Sequence, residues 1–217
     1  MTVATSALRV VDLGQLEYAA ALLHQRALAA ERAAGRGEDT LLLVEHPPTI
    51  TLGRGARREH VLLPESELAR RGVALYATDR GGDVTYHGPG QLVGYPILDL
   101  APRGRDLHRY LRDLEQLLID TLAELGIRGE RVHGRTGVWV GERKIAAIGI
   151  KVSRWVTSHG FALNVGPDLS GFALIIPCGI RDRGVTSISQ ELGVTVEIDA
   201  VKPLVVRHAE RIFGAAP

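Results

Sequence analysis

Between Gly137 and Val165 the chain runs through three β-type stretches, Gly137 to Val140, Lys144 to Val152 and Phe161 to Val165, separated by short turns. Parallel neighbours would need a crossover of about a dozen residues or more. Three strands this close therefore predict an antiparallel meander. Elsewhere helices and strands do not alternate regularly, so a doubly wound parallel sheet is excluded. The expected fold class is α+β: a single domain with a mixed, largely antiparallel sheet flanked by helices.

At 217 residues one core can bury roughly 70% of the surface the unfolded chain exposes. There is no internal repeat, low-complexity tract or linker, and residues 1–217 are read as one catalytic domain. A net charge of +1 gives no reason to expect nucleic acid or a membrane surface as partner. No run approaches the ~20 apolar residues of a membrane helix, and the first residues carry neither a basic nor an apolar leader segment. A lone cysteine, Cys178, excludes an intramolecular disulfide framework and any CxxC metal cluster. The expected location is the reducing cytoplasm.

The periodicity predicts a strand over 8–14 and a helix over 15–34 with Leu16, Ala19, Ala20, Leu23 and Ala27 inward. Strands follow at 40–45 and 49–53, interrupted by His46-Pro47-Pro48. A short helix is expected over 64–71, a strand over 73–78, a dense loop over 80–91 and a strand over 92–98. Asp106 is placed as the cap of a helix to Leu125, with Leu107, Tyr110, Leu111, Leu114, Leu118 and Leu122 inward. A long loop over 166–185 precedes a short helix opened by Ser187 and Gln190. A last helix is expected behind Asp199, ending near Phe213.

Phosphate-loop, HExxH and GxSxG signatures are missing, which leaves nucleotide hydrolysis, zinc proteolysis and the hydrolase elbow unsupported. Four segments stand out instead. The run Arg80 to Gln91 combines paired glycines, which let a backbone approach a ligand closely, with polar side chains too numerous for a plain hairpin. Lys144 opens a strand, where a lysine is more often a solvated edge residue; lysine is scarce, occurring also only at 151 and 202. His159, beside a glycine, opens the apolar run to Asn164 and by itself reads as a hydrogen-bonded structural histidine. Cys178, between Pro177 and Gly179, is poor core filler and becomes a thiolate candidate if a cation lies nearby. Spacing alone does not bring Lys144 to Cys178.

Taken with His46-Pro47-Pro48, these motifs resemble the lipoyl(octanoyl) transferases of protein lipoylation. The match runs through Arg80 to Gln91 into Val93-Gly94-Tyr95-Pro96, Lys144 to Gly149, His159 to Asn164, and Pro177 to Ile180 followed by Thr186-Ser187-Ile188, with no departure at a motif position. The resemblance implies the fold of biotin and lipoate protein ligases. It implies transfer of an octanoyl or lipoyl group from acyl carrier protein to a lysine of lipoyl domains, those of 2-oxoacid dehydrogenase E2 subunits and the glycine cleavage H protein, as the first step of endogenous lipoylation.

The same resemblance assigns Cys178 as the residue that carries the acyl thioester and Lys144 as its catalytic partner. It assigns the acyl substrate to Arg80, Gly81, Gly82, Asp83, Val84, Thr85, Tyr86 and His87, with Ala147, Ile148, Gly149, Gly160, Phe161 and Ala162. No metal and no cofactor are expected, because a thioester donor is already activated. Two alternatives stay open: an ATP-dependent lipoate ligase, which would not need Cys178, and a non-catalytic carrier-protein-binding module.

Overall fold

The computed structural model describes residues 8–166, 168–176 and 184–214. It holds ten strands: β1 Arg9–Gln15, β2 Thr40–Glu45, β3 Thr49–Leu52, β4 Ala74–Ala77, β5 Val84–His87, β6 Gln91–Ile97, β7 Glu130–Val132, β8 Arg135–Val140, β9 Arg143–Ser153 and β10 Val156–Asn164. Five α-helices accompany them: α1 Tyr18–Ala33, α2 Glu65–Arg70, α3 Leu107–Glu124, α4 Ile188–Leu192 and α5 Ile198–Phe213. The class is α+β, as expected, and β8–β9–β10 form the predicted antiparallel meander.

The strands form two sheets rather than one. Seven run in the order β1-β2-β6-β10-β9-β8-β7, and a smaller sheet runs β4-β3-β5. Both are mixed: β1–β2 and β3–β4 pair parallel, the other pairs antiparallel. The chain changes sheets at Pro47-Pro48. Neither proline can donate to a ladder, so the strand that began in the large sheet resumes in the small one. The dense run 80–91 is likewise not all loop, since Val84–His87 pairs with β3.

One face of the large sheet is covered by α3 and α5. Tyr110, Leu114, Leu118 and Leu122 of α3 and Val201, Val205 and Phe213 of α5 pack there on Leu92, Phe161, Leu163 and Ala146. The other face meets α1, through Ala21 against Leu42, Val93, Tyr95 and Ala162. A separate core under the small sheet gathers Ile50, Leu68, Val84, Tyr86 and Ile175.

Three expectations about the helices are corrected. α1 starts at Tyr18 and buries Tyr18, Ala21 and Gln25, while Leu23 is 66% exposed. Its small residues fit either face, so periodicity chose the wrong one. Leu107, expected inward, is the first residue of α3 and lies before the turn that reaches the core; it is exposed. α5 opens behind Glu197 without a side-chain cap, and Asp199 sits in the first turn, paired with Lys202 at 2.9 Å. By contrast Asp106 caps α3 by accepting from the Arg109 N–H at 2.9 Å, and Ser187 caps α4.

Candidate active site

Strand alternation makes a cavity. On β9 the side chains of Ile148, Ile150 and Val152 go to the α3–α5 core, so Ala147 and Gly149 face the other way. On β10, Phe161 and Leu163 go to that core, which leaves Gly160, Ala162 and Asn164 opposite. Small residues on this face, with the small sheet laid over it, enclose a space of about 700 Å³. Tyr18 of α1 and Val84, Thr85 and His87 of the small sheet complete its walls, and Lys144 also borders it.

Two glycines are dictated by close approach. A Cβ on Gly149 would lie 2.9 Å from the Gly81 carbonyl oxygen and 3.1 Å from Arg80 Cδ. A Cβ on Gly160 would fall onto the Gly94 carbonyl of β6. The first contact exists because the Gly81 N–H donates to the Ile150 carbonyl at 2.8 Å, docking the glycine-rich loop onto β9.

Arg80 is 8% exposed and builds the loop from inside. Its Nη2 donates to the Thr51 carbonyl at 2.7 Å and to Thr51 Oγ1 at 2.9 Å, and its Nη1 to the Gly81 carbonyl at 3.0 Å. Asp83 accepts from His60 Nδ1 at 2.5 Å, tying the loop to the 3-10 turn Arg58–His60. His87 is buried, with Nδ1 2.8 Å from Gln91 Oε1 and Nε2 3.4 Å from Thr51 Oγ1. Gln91 Oε1 only accepts, so His87 carries its proton on Nδ1. Burial, reinforced by the positive charge of nearby groups, drives its pKa down to about 3.

A histidine with a depressed pKa excludes a proton that the unfolded chain accepts near 6.5. Its contribution to stability is therefore complete above pH 6.5 and is lost as pH falls toward 3. One such site contributes a slope of about 1.4 kcal/mol per pH unit at most. Urea unfolding of wild type and His87→Gln at pH 7, 6 and 5 is expected to show the shallower acid slope in the variant. Equal slopes would show that His87 takes up its proton in the folded protein.

His159 has φ +57, the left-handed region rarely used by a side chain of this size. It is held there by a bond from its N–H to Gln25 Oε1 at 2.8 Å and by Nε2 on Asp79 Oδ1 at 2.7 Å. Burial works against the Asp79 carboxylate, but the bonds from Lys151 and His159 outweigh it and hold its pKa at about 2. His159 is thus the structural histidine expected, and it also borders the cavity.

Lys144 is clamped through its backbone. Its N–H donates to the Gly184 carbonyl at 3.0 Å, and its carbonyl accepts from the Thr186 N–H at 3.0 Å. Its Nζ lies 4.8 Å from the centroid of the Trp139 ring, a cation–π distance. Cys178, with Pro177, Gly179 and Ile180, lies outside the described residues.

The structure brings most of the expected substrate residues to one cavity: Arg80 to Thr85, His87, Ala147 to Gly149 and Gly160 to Ala162 all border it. Tyr86 does not. Alternation along β5 turns its ring into the core of the small sheet, edge-on to Phe172 at 5.5 Å. Ile148 and Phe161 border the cavity while their side chains serve the opposite core. Sequence reasoning left out Tyr18, Gln91 and Asn164. The last two ended segments already singled out and had a signal, a polar residue opening the apolar strand β6 and another closing β10; Tyr18 had none. Among the described residues no cluster of three His, Cys, Asp or Glu side chains forms a metal site, and no helix is long and apolar enough to cross a membrane.

The chain belongs to the lipoyl protein ligase A/B catalytic domain family, which matches residues 17–210. It is 55% identical to a protein of Chloroflexus aggregans named octanoyltransferase, over 97% of this chain and 96% of that one. Its fold is similar to the bipartite lipoate protein ligase of Thermoplasma acidophilum, with a TM-score of 0.71 at 18% identity over 95% of this chain and 83% of that one. The biotin protein ligase of Aquifex aeolicus has a TM-score of 0.58 at 15% identity, over 94% and 69% of the two chains. These two likenesses carry the fold.

Proposed function

We propose that the protein is an octanoyltransferase that passes the acyl group through Cys178, from acyl carrier protein to a lysine of a lipoyl domain. The observation that carries this reading is the slot itself: a face of alanine and glycine on a cavity of about 700 Å³, with Lys144 among the residues that border it. Relatives at this level of identity bearing the octanoyltransferase name support the acyl group.

In the first step the Cys178 thiolate attacks the thioester carbonyl of the donor. The bond from that carbonyl to the pantetheine sulfur breaks, and Lys144, having taken the Cys178 proton, returns it to the departing thiol. In the second step the neutral acceptor amine attacks the new thioester. An amide forms, the carbon–sulfur bond to Cys178 breaks, and the amine's proton passes by way of Lys144 to the Cys178 sulfur, which restores the free enzyme. Splitting the transfer in two lets two protein partners use one site in turn. Neither step consumes nucleotide.

The test is intact-mass analysis after mixing with octanoyl-acyl carrier protein, without acceptor or ATP. Wild type is expected to gain one octanoyl group and Cys178→Ala none; an adduct that persists in the variant overturns the covalent role. Adding the apo lipoyl domain should discharge the adduct. A requirement for ATP at that point would replace this reading by a ligase.

A further inference from the structure

A chain of buried polar groups runs along the cavity wall, and acyl transfer as set out above gives Gln91 and Asn164 no role. Asn164 Nδ2 donates to the Thr186 carbonyl at 3.0 Å, and Gln91 Nε2 donates to Asn164 Oδ1 at 2.9 Å. Gln91 Nε2 also lies 3.2 Å from the Tyr86 carbonyl, and its Oε1 accepts from His87 Nδ1. The carbonyl of Thr186 can only accept, so the orientation of both amides and the tautomer of His87 follow from one end. His87, Gln91, Asn164 and Thr186 are all buried.

The chain ends where β9 changes its neighbour. β10 pairs with β9 as far as Leu163 opposite Ala146. Past that point the neighbour is Val185, in an isolated parallel bridge to Lys144. On the other side of Lys144 the β8–β9 register slips between Val138 and Trp139. Lys144 therefore stands at an irregular point of the sheet, held on one flank by three residues, Gly184 to Thr186. A buried carbonyl such as that of Thr186 costs stability if left without a donor, and Asn164 supplies one from the last position of β10.

We infer that Gln91 and Asn164 are positioning residues: Asn164 pins the Gly184–Thr186 segment onto Lys144, and Gln91 holds Asn164 in the orientation that does so. Their effect on the reaction is the placement of Lys144 beside the cavity, and the inference rests on the acyl-transfer role given to Lys144 above. It also ties the substrate-binding loop, through His87, to the strand that carries the catalytic lysine.

Asn164→Leu and Gln91→Met remove the bonds without adding charge. Single-turnover loading from octanoyl-acyl carrier protein, followed by intact mass, separates the loading rate constant from the fraction of enzyme loaded. Misplacement of a catalytic group costs up to about 100-fold in rate. Asn164→Leu is expected to approach that loss and Gln91→Met to lose about tenfold, with full loading and a donor half-saturation within about twofold of wild type. Should Asn164→Leu not fold, Gln91→Met decides alone. Unchanged rate constants overturn the inference, and so does a smaller loaded fraction at the wild-type rate, which marks a folding defect. Absence of any adduct on wild type would instead overturn the covalent step. The inference is then read from steady-state transfer to a lipoyl domain, where kcat must fall at unchanged KM.

Discussion

Lys144→Met is expected to lose octanoyl transfer by about 10²- to 10⁴-fold, the usual weight of a general acid–base group. The variant keeps the length of the side chain and removes its charge and proton. Because both backbone bonds of residue 144 go to Gly184 and Thr186, the strand should stay in place. Two jobs assigned to the lysine come apart in Lys144→Arg. As a cation, either Lys or Arg should hold the Cys178 thiol below its free value of ~8.5. As a carrier of protons only Lys serves, since arginine stays charged. The Arg variant is thus expected to keep part of the iodoacetamide reactivity of Cys178 at pH 7 and to lose most transfer, while the Met variant loses both. Alkylation and turnover at wild-type rates in Lys144→Met would return Lys144 to an ordinary strand-edge residue.

Ala147→Leu should narrow the slot without touching either core. Ala147 lies on the cavity face of β9, opposite Ala162 in register. Three added carbons take the room of about three methylenes, and each buried methylene is worth about 0.8 kcal/mol. Octanoyl transfer is therefore expected to fall about 50-fold, the equivalent of a little over 2 kcal/mol. Butanoyl transfer should be nearly unaffected, because a shorter chain leaves the new side chain room. Competition between butanoyl and octanoyl thioesters, read by the mass of the modified lipoyl domain, measures the ratio directly. An unchanged ratio would show that the acyl chain lies elsewhere.

The meander was legible because alternating apolar residues with short turns admit one pairing. So was α3, whose leucines repeat at helical spacing behind an aspartate that caps it. The site was legible as segments: glycine-rich loop, Lys144, the His159 to Asn164 run. What joins them was not. The small sheet is built from strands separated by α2 and by a loop, and its four-residue strands carry too little pattern to declare a second layer. Tyr18 shows the same limit on a helix. With many alanines round α1, it is the rings of Tyr76, His46 and His87 packed about Tyr18 that decide which face turns inward.

By itself the sequence determined what local chemistry settles: which residues alternate, where α3 and α4 are capped, where proline breaks a ladder, and which side chains have chemistry to offer. Tertiary structure alone decided which of two sheet faces each strand residue meets. Period-2 alternation separates Ala147 from Ile148 and His87 from Tyr86, but it does not say which set faces a cavity and which a core. Packing of α3 and α5 on one side, and docking of Gly81 onto Ile150 on the other, made that choice. The bond from Asn164 to Thr186 spans 22 residues; it arises only because β10 ends where a returning segment takes its place beside β9.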